Sequence, residues 1–81
     1  MTYRESYKLE KDWKRRVALI ATFHGARCLQ SKTWKLTDSA KYFGISIGLI
    51  SESLNLSKHW DQIESCKSRS EALRKVKTNG T

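Results

Sequence analysis

Proline is absent from this sequence, glycine occurs four times, and acidic residues are half as numerous as basic ones. Because proline and glycine most often interrupt regular structure, their scarcity favours helices joined by short connections. The 16 Lys and Arg against 8 Asp and Glu give a formal charge of +8 over 81 residues, which favours a polyanionic partner. The alternative is a basic protein whose charge serves only its solubility. The grouping of basic residues around one helical segment speaks against it.

Cysteine and long apolar runs are also scarce. Cys28 and Cys66 are far apart, and neither belongs to a CxxC pair or to a set with two histidines at ligand spacing, so we expect no metal site and no cofactor. Two unpaired cysteines fit a reducing cytoplasm. The longest apolar run, Val17 to Ala21, is far too short to cross a bilayer. The sequence therefore predicts a cytoplasmic protein without a signal peptide or a membrane-spanning segment.

The most informative segment is LTDSAKYFGISIGLISESLN, from Leu36 to Asn55, which has the pattern of a helix-turn-helix. Such a unit places its second helix in the major groove of DNA. Ala40 is small enough for the crossing of the two helices, and Gly44 suits the left-handed backbone that ends the first helix. The apolar contacts between the helices are assigned to Phe43, Ile45, Ile50 and Leu54.

Hydroxyl side chains predict where several helices begin, because they accept hydrogen bonds from the unpaired N–H groups of a first helical turn. Thr37 and Ser46 are the predicted N-caps of the two motif helices. Ser57 is the predicted cap of a short helix that follows them. Ser68 and Glu71 have the spacing of a capping box, which predicts a final, basic helix.

The flanking segments complete the prediction of an all-α domain of about five helices over residues 1–81. Trp34 is expected to close the core after the first helix, and Trp60 and Ile63 are three residues apart, so both can face the core. One apolar stripe predicts a long N-terminal helix: Trp13, Val17, Ile20, Ala21 and His24. The predicted bounds are 1–31 for that helix, 36–55 for the helix-turn-helix (helices at about 37–43 and 46–56), and 57–78 for the C-terminal helices, with a loose tail at 78–81.

Between Trp34 and Lys77 the chain resembles the DNA-binding core of ParB-type partition proteins, a family with plasmid, chromosomal and phage-encoded members. Two blocks carry the resemblance: GISIGLISESLNL is similar to the family's second motif helix, and SRSEAL to its following helix. The resemblance implies a helical DNA-binding core. The matching residues are Trp34, Leu36, Thr37, Ala40, Phe43, Gly44, Ile45, Ser46, Ile50, Ser51, Leu54, Leu56, Ser68, Arg69, Glu71, Ala72 and Leu73.

The sequence also departs from that family. The nucleotide-binding domain with its arginine-rich motif and the dimerisation domain of ParB-type proteins have no counterpart here, so CTP hydrolysis is not implied. The chain looks more like a free-standing phage or mobile-element protein, acting in the host cytoplasm or nucleoid. Cro-type repressors are similar over the same helix-turn-helix segment. No phosphate-cradling loop and no activated nucleophile is evident in the sequence, so we expect no enzymatic activity.

The second motif helix is weakly equipped to read bases. Residues 46–56 include no Arg or Lys, although arginine paired with guanine is the commonest specific contact. Ser51 could bond a base edge or a phosphate, and Ile47 could touch a thymine methyl. Glu52 could accept from cytosine N4, but it also repels phosphate. With Leu49 beside the outward positions, the predicted DNA-binding residues are Lys35, Thr37, Lys41, Ser46, Ile47, Gly48, Ser51, Glu52, Asn55, Lys58, His59, Lys67 and Arg69.

Two explanations of this weak reading helix stay open. In the one we favour, basic residues around the motif bind phosphates of double-stranded DNA, with modest sequence preference. The protein would act as a repressor, a partition-like protein or a packaging accessory, and as a homodimer or higher oligomer because one motif covers one half-site. In the other, Ile47 and Leu49 form an apolar patch that binds a host or phage protein. A structural oligomer, such as the DNA-binding ring of a small terminase subunit, is a third possibility.

Overall fold

The structure is a computed structural model that describes residues 2–79, with the side chains of residues 2–76. Every regular secondary-structure element in this part of the chain is an α-helix. The all-α prediction is confirmed, with six helices where about five were expected. The predicted tail at 78–81 is helical through Asn79, and residues 80–81 lie outside the described residues. The helices are α1 (Tyr3–Leu9), α2 (Trp13–Gln30), α3 (Leu36–Phe43), α4 (Ile47–Lys58), α5 (Trp60–Ile63) and α6 (Arg69–Asn79).

The predicted single N-terminal helix is wrong, because residues 10–12 separate α1 from α2. Asp12 begins α2 as its N-cap, and its Oδ1 accepts a hydrogen bond from the Lys14 N–H at 3.1 Å. This local bond competes with continuation of the helix from α1. The break lets α1 bring its buried Tyr7 against Phe43, with ring centroids 5.2 Å apart.

An aromatic cluster around Phe23 forms the first of two cores. The Phe23 ring stacks on Tyr42 with centroids 4.2 Å apart and meets Trp34 and Phe43 edge-on at 5.9 and 5.1 Å. Trp34 therefore closes this core, as predicted. Helices α1, α2, α3 and α4 contribute its buried residues, which are Tyr7, Ile20, Phe23, Ala40, Phe43 and Ile50.

The second core holds the C-terminal helices against α2 and α4. Ile63 faces this core as predicted, whereas Trp60, which the spacing allowed to face it too, is 37% exposed. Trp60 is the first residue of a helix of one turn, and this short element buries only Ile63. The buried residues of the second core are Val17, Leu56, Ile63, Cys66, Ala72 and Val76. Because α2 and α4 contribute to both cores, they are the frame on which the other helices pack.

A polar network fixes α3 against α2. The Oγ of the fully buried Ser39 accepts a hydrogen bond from Trp34 Nε1 at 2.8 Å and lies 2.7 Å from His24 Nδ1. The His24 Nε2 atom lies 3.4 Å from Cys28 Sγ. Buried polar groups that are mutually satisfied favour one relative arrangement of their helices. Ser39 was not predicted to be buried, and its place beside Ala40 was the only signal of its burial in the sequence.

Two predicted caps are found where they were expected. Ser46 Oγ accepts a hydrogen bond from the Leu49 N–H at 3.2 Å and begins α4. Ser68 Oγ accepts from the Glu71 N–H at 3.2 Å, directly before α6. The Glu71 carboxylate reaches one residue further back than a capping box requires, and accepts from the Lys67 N–H at 2.9 Å. The starts of α4 and α6 are therefore both fixed by local hydrogen bonds.

The other two predicted caps are wrong. Thr37 is inside α3, because that helix begins one residue earlier. Its entry is fixed by Asp38 Oδ2, which accepts a hydrogen bond from the Lys35 N–H at 2.8 Å. Ser57 is inside α4, which continues to Lys58. Both motif helices are thus longer than predicted, and α4 gains a lysine in its last turn.

Gly44 makes the turn between α3 and α4. Its backbone is left-handed, with φ 72° and ψ 35°, as the sequence predicted. Its N–H donates to the carbonyl oxygen of Ala40 at 2.8 Å, and the Ile45 N–H donates to the same oxygen at 3.0 Å. These bonds satisfy the end of α3 and set the direction in which α4 leaves it.

Substitution of Gly44 by valine is expected to lower the free energy of unfolding by about 1–3 kcal/mol, because a β-branched residue is strained at positive φ. A Cβ atom at this position would meet nothing within 4 Å, so the loss isolates backbone strain. Gly25→Ala is the control: its site in α2 is equally open, and it should add about 0.5–1 kcal/mol by helix propensity. Denaturant unfolding compares the two, and unchanged stability of Gly44→Val would contradict the assigned turn.

Candidate nucleic-acid interface

The outer face of α4 is left uncovered by the rest of the described chain. On the inner face, Ile50, Ser53 and Leu56 are buried, because α4 packs there on its neighbours. Leu49 is only half-buried, so it stands at the border between the two faces. The predicted outward residues are all exposed: Ile47, Gly48, Ser51, Glu52 and Asn55. The helical period of α4 therefore gathers them on one surface.

A groove of about 450 Å³ separates the start of α3 from the outer face of α4. Its apolar side chains are Leu36 and Leu54, both half-buried. Lys58 lines this groove because α4 continues to Lys58, two residues beyond its predicted end at residue 56. The complete lining is Leu36, Ser51, Glu52, Leu54, Asn55 and Lys58. The groove thus combines hydroxyl, amide, carboxylate and ammonium groups on a single exposed surface.

Exposed lysines border the unit formed by α3, the Gly44 turn and α4, which we call the α3–turn–α4 unit. Lys35 directly precedes α3, Lys41 lies within it, Lys58 ends α4, and Lys67 lies just before α6. Ammonium groups on long flexible side chains can reach phosphates from such positions. His59, between α4 and α5, is half-buried and less accessible than these lysines.

Arg69 differs from the other predicted basic residues because it is already paired. Its Nη2 atom lies 3.2 Å from Oε2 of Glu52, which joins the first turn of α6 to the outer face of α4. The two side chains are 26% and 48% exposed, respectively. From the sequence, Arg69 was expected to bind phosphate, and Glu52 either to accept from cytosine N4 or to repel phosphate. Neither charge acts alone in the folded chain, since the two form one ion pair.

The remaining predicted site residues lie in or next to the first turns of α3 and α4. Thr37 is exposed in the first turn of α3, and Ser46 is exposed although its Oγ is engaged as the α4 cap. Gly48 is not required by steric contact, because a Cβ atom there would meet only Ser46 Oγ, at 3.9 Å. Within the described chain, no group of three or more His, Cys, Asp or Glu residues is placed to hold a metal ion.

Comparisons of this chain with protein-family models, with curated proteins and with solved structures found no match. Across residues 2–79, no helix is both long enough and apolar enough to cross a membrane. The features of this chain that bear on function are the exposed face of α4, the lysines that border it and the pair of Arg69 with Glu52.

Proposed function

We propose that this protein binds duplex DNA through the α3–turn–α4 unit, and that its role is regulatory or architectural rather than catalytic. The observation that carries the proposal is the uncovered outer face of α4, a helix of 12 residues that ends in a lysine. The major groove of DNA is wide enough to admit an α-helix. The formal charge of +8 supports it, because neutralised phosphates release counterions.

Phosphate contacts supply most of the affinity under this proposal. The exposed face of α4 offers the hydrogen-bonding groups of Ser51 and Asn55 but no arginine, so sequence preference is modest. One α3–turn–α4 unit covers one half-site, and useful affinity then calls for a homodimer or a larger assembly. Under this proposal the protein acts in the cytoplasm, where the DNA lies. If it is phage-encoded, this is the cytoplasm or nucleoid of the host cell.

Equilibrium binding over a series of salt concentrations tests the proposal. We expect binding to random and genomic duplexes with a salt slope of about −4 if each of the four bordering lysines contacts one phosphate. Single-stranded DNA of the same length is the control, and it should bind more weakly because each phosphate contact releases fewer counterions and no major groove is present. Failure to bind any duplex at low salt would refute DNA binding.

One observation favours a second candidate function, which is contact with a host or phage protein. Ile47 is 47% exposed at the start of α4. Exposure of a large apolar side chain to water is unfavourable, and contact with a partner protein would bury it. Leu49 is half-buried, so the apolar patch is smaller than the sequence predicted. The salt series discriminates between the two functions, because a surface built for protein contact would leave duplex binding unmeasurable at low salt.

A further inference from the structure

We infer that Glu52 determines base specificity on this surface by accepting a hydrogen bond from the N4 amino group of a cytosine, and that Arg69 is the positioning residue that orients the Glu52 carboxylate. The inference rests on the proposed DNA binding and deepens it. It names one base, cytosine in the major groove, that the outer face of α4 would select.

If α4 enters the major groove as proposed, Glu52 lies where a base edge would pass, and within the described chain one of its carboxylate oxygens has no partner. It lies on the exposed face of α4 and lines the groove together with Ser51 and Asn55. Arg69 Nη2 occupies Oε2 at 3.2 Å. Among the described residues, no other side chain forms an ion pair with this carboxylate, and no hydrogen bond reaches its Oε1. That oxygen can therefore accept a donor from outside the chain.

Cytosine is the base that suits such an acceptor. In the major groove, cytosine presents its N4 amino group as a donor, whereas guanine presents only acceptors. Adenine also has an amino group, but its N7 acceptor lies beside it and would face the same carboxylate unfavourably. A carboxylate has only acceptors when it is ionised, so Glu52 discriminates in favour of cytosine.

The ion pair with Arg69 removes the electrostatic objection to a carboxylate at a DNA surface. A lone Glu52 would be repelled by phosphates, whereas the Glu52–Arg69 pair carries no net charge. Arg69 also stands in the first turn of α6, where the helix dipole disfavours a cation and the nearby carboxylate offsets that cost. With 26% exposure against 48% for Glu52, Arg69 is the more covered member of the pair.

The start of α6 gives Arg69 a fixed base from which to act. Ser68 Oγ accepts from the Glu71 N–H at 3.2 Å, and the Glu71 carboxylate accepts from the Lys67 N–H at 2.9 Å. These two bonds bracket Arg69 in the sequence and hold the first turn of α6. The guanidinium therefore approaches Glu52 from a defined direction, which orients the free oxygen.

Selection from a pool of randomised duplexes, followed by sequencing, tests this inference. The wild-type protein should enrich cytosine at one position of its preferred site. Glu52→Gln should move that position to adenine, because an amide matches both the N6 donor and the N7 acceptor. Arg69→Gln should lower the cytosine preference there by about tenfold and leave other positions unchanged, while Arg69→Lys should restore part of it.

Two control variants match the changes in charge. Asp61→Asn removes an exposed carboxylate from α5, and Arg4→Gln removes an exposed guanidinium from α1. Both should leave every base preference unchanged, and circular dichroism should show that all variants stay helical. The readout is relative base frequency, so a general change in affinity does not affect it.

The outcomes separate this inference from the proposed function. Absence of duplex binding by the wild-type protein would overturn both. Duplex binding in which the wild type selects no cytosine would overturn only the role of Glu52, as would a cytosine preference that survives Glu52→Gln. If Glu52→Gln shifts the preference and Arg69→Gln does not, the positioning role of Arg69 is wrong.

Discussion

Replacement of Phe23 by alanine is expected to lower the free energy of unfolding by about 3–5 kcal/mol, a large fraction of the stability of a small domain. Phe23 is 3% exposed. Its ring contacts Trp34, Tyr42 and Phe43, with centroid distances between 4.2 and 5.9 Å. Removal of the ring leaves a cavity where the first core is assembled, and rigid helices on several sides limit its collapse.

Equilibrium unfolding in denaturant measures this loss. Leu29→Ala is the control, because Leu29 belongs to the same helix and is 91% exposed. We expect the control to change stability by no more than about 0.5 kcal/mol. Similar small losses in the two variants would contradict the placement of Phe23 at the centre of the first core.

Replacement of the four bordering lysines by alanine is expected to weaken binding to every duplex by about 1000-fold or more near 0.1 M salt, and to reduce the salt slope by about 3 to 4. The reason is that a phosphate without its lysine keeps its condensed counterions on the DNA, so the entropy gained by their release is lost. All four side chains are exposed, so the fold should survive. The residues replaced are Lys35, Lys41, Lys58 and Lys67.

The matched control removes the same charge from elsewhere on the chain. Its four residues are also exposed. They lie in α1, in the connection after α1 and in the later part of α6. We expect this control to lose much less affinity and to keep its salt slope. Equal losses in the two variants would mean that affinity follows net charge alone, and would contradict the proposed surface. The residues replaced are Arg4, Lys8, Lys11 and Lys75.

Much of the local structure could be predicted from the sequence. The left-handed turn at Gly44 and the caps at Ser46 and Ser68 follow from the chemistry of single residues and their nearest neighbours. The exposed positions of α4 were also predicted correctly. Ile50 and Leu54 mark one side of a helix, and the helical period places Ser51, Glu52 and Asn55 away from it. These features depend on contacts within a few residues, which a sequence pattern expresses directly.

Helix ends were predicted less well, for a local but ambiguous reason. Asp12, Asp38 and Ser57 could each end a helix, begin one or lie within one, because side chains of this size bond to the backbone in several ways. Asp12 separates α1 from α2, Asp38 sets the entry to α3 one residue early, and Ser57 stays inside α4. Which of these alternatives occurs depends on the packing that each allows.

Only the tertiary structure decided which distant groups meet. The burial of Ser39 under Trp34, the exposure of Trp60, and the pair of Glu52 with Arg69 all depend on where whole helices lie. The sequence by itself determined that Glu52 would face outward and that Arg69 would begin a basic helix. Their contact requires α6 to fold back against α4 through the second core, and periodicity within one helix carries no information about which other helix it packs on.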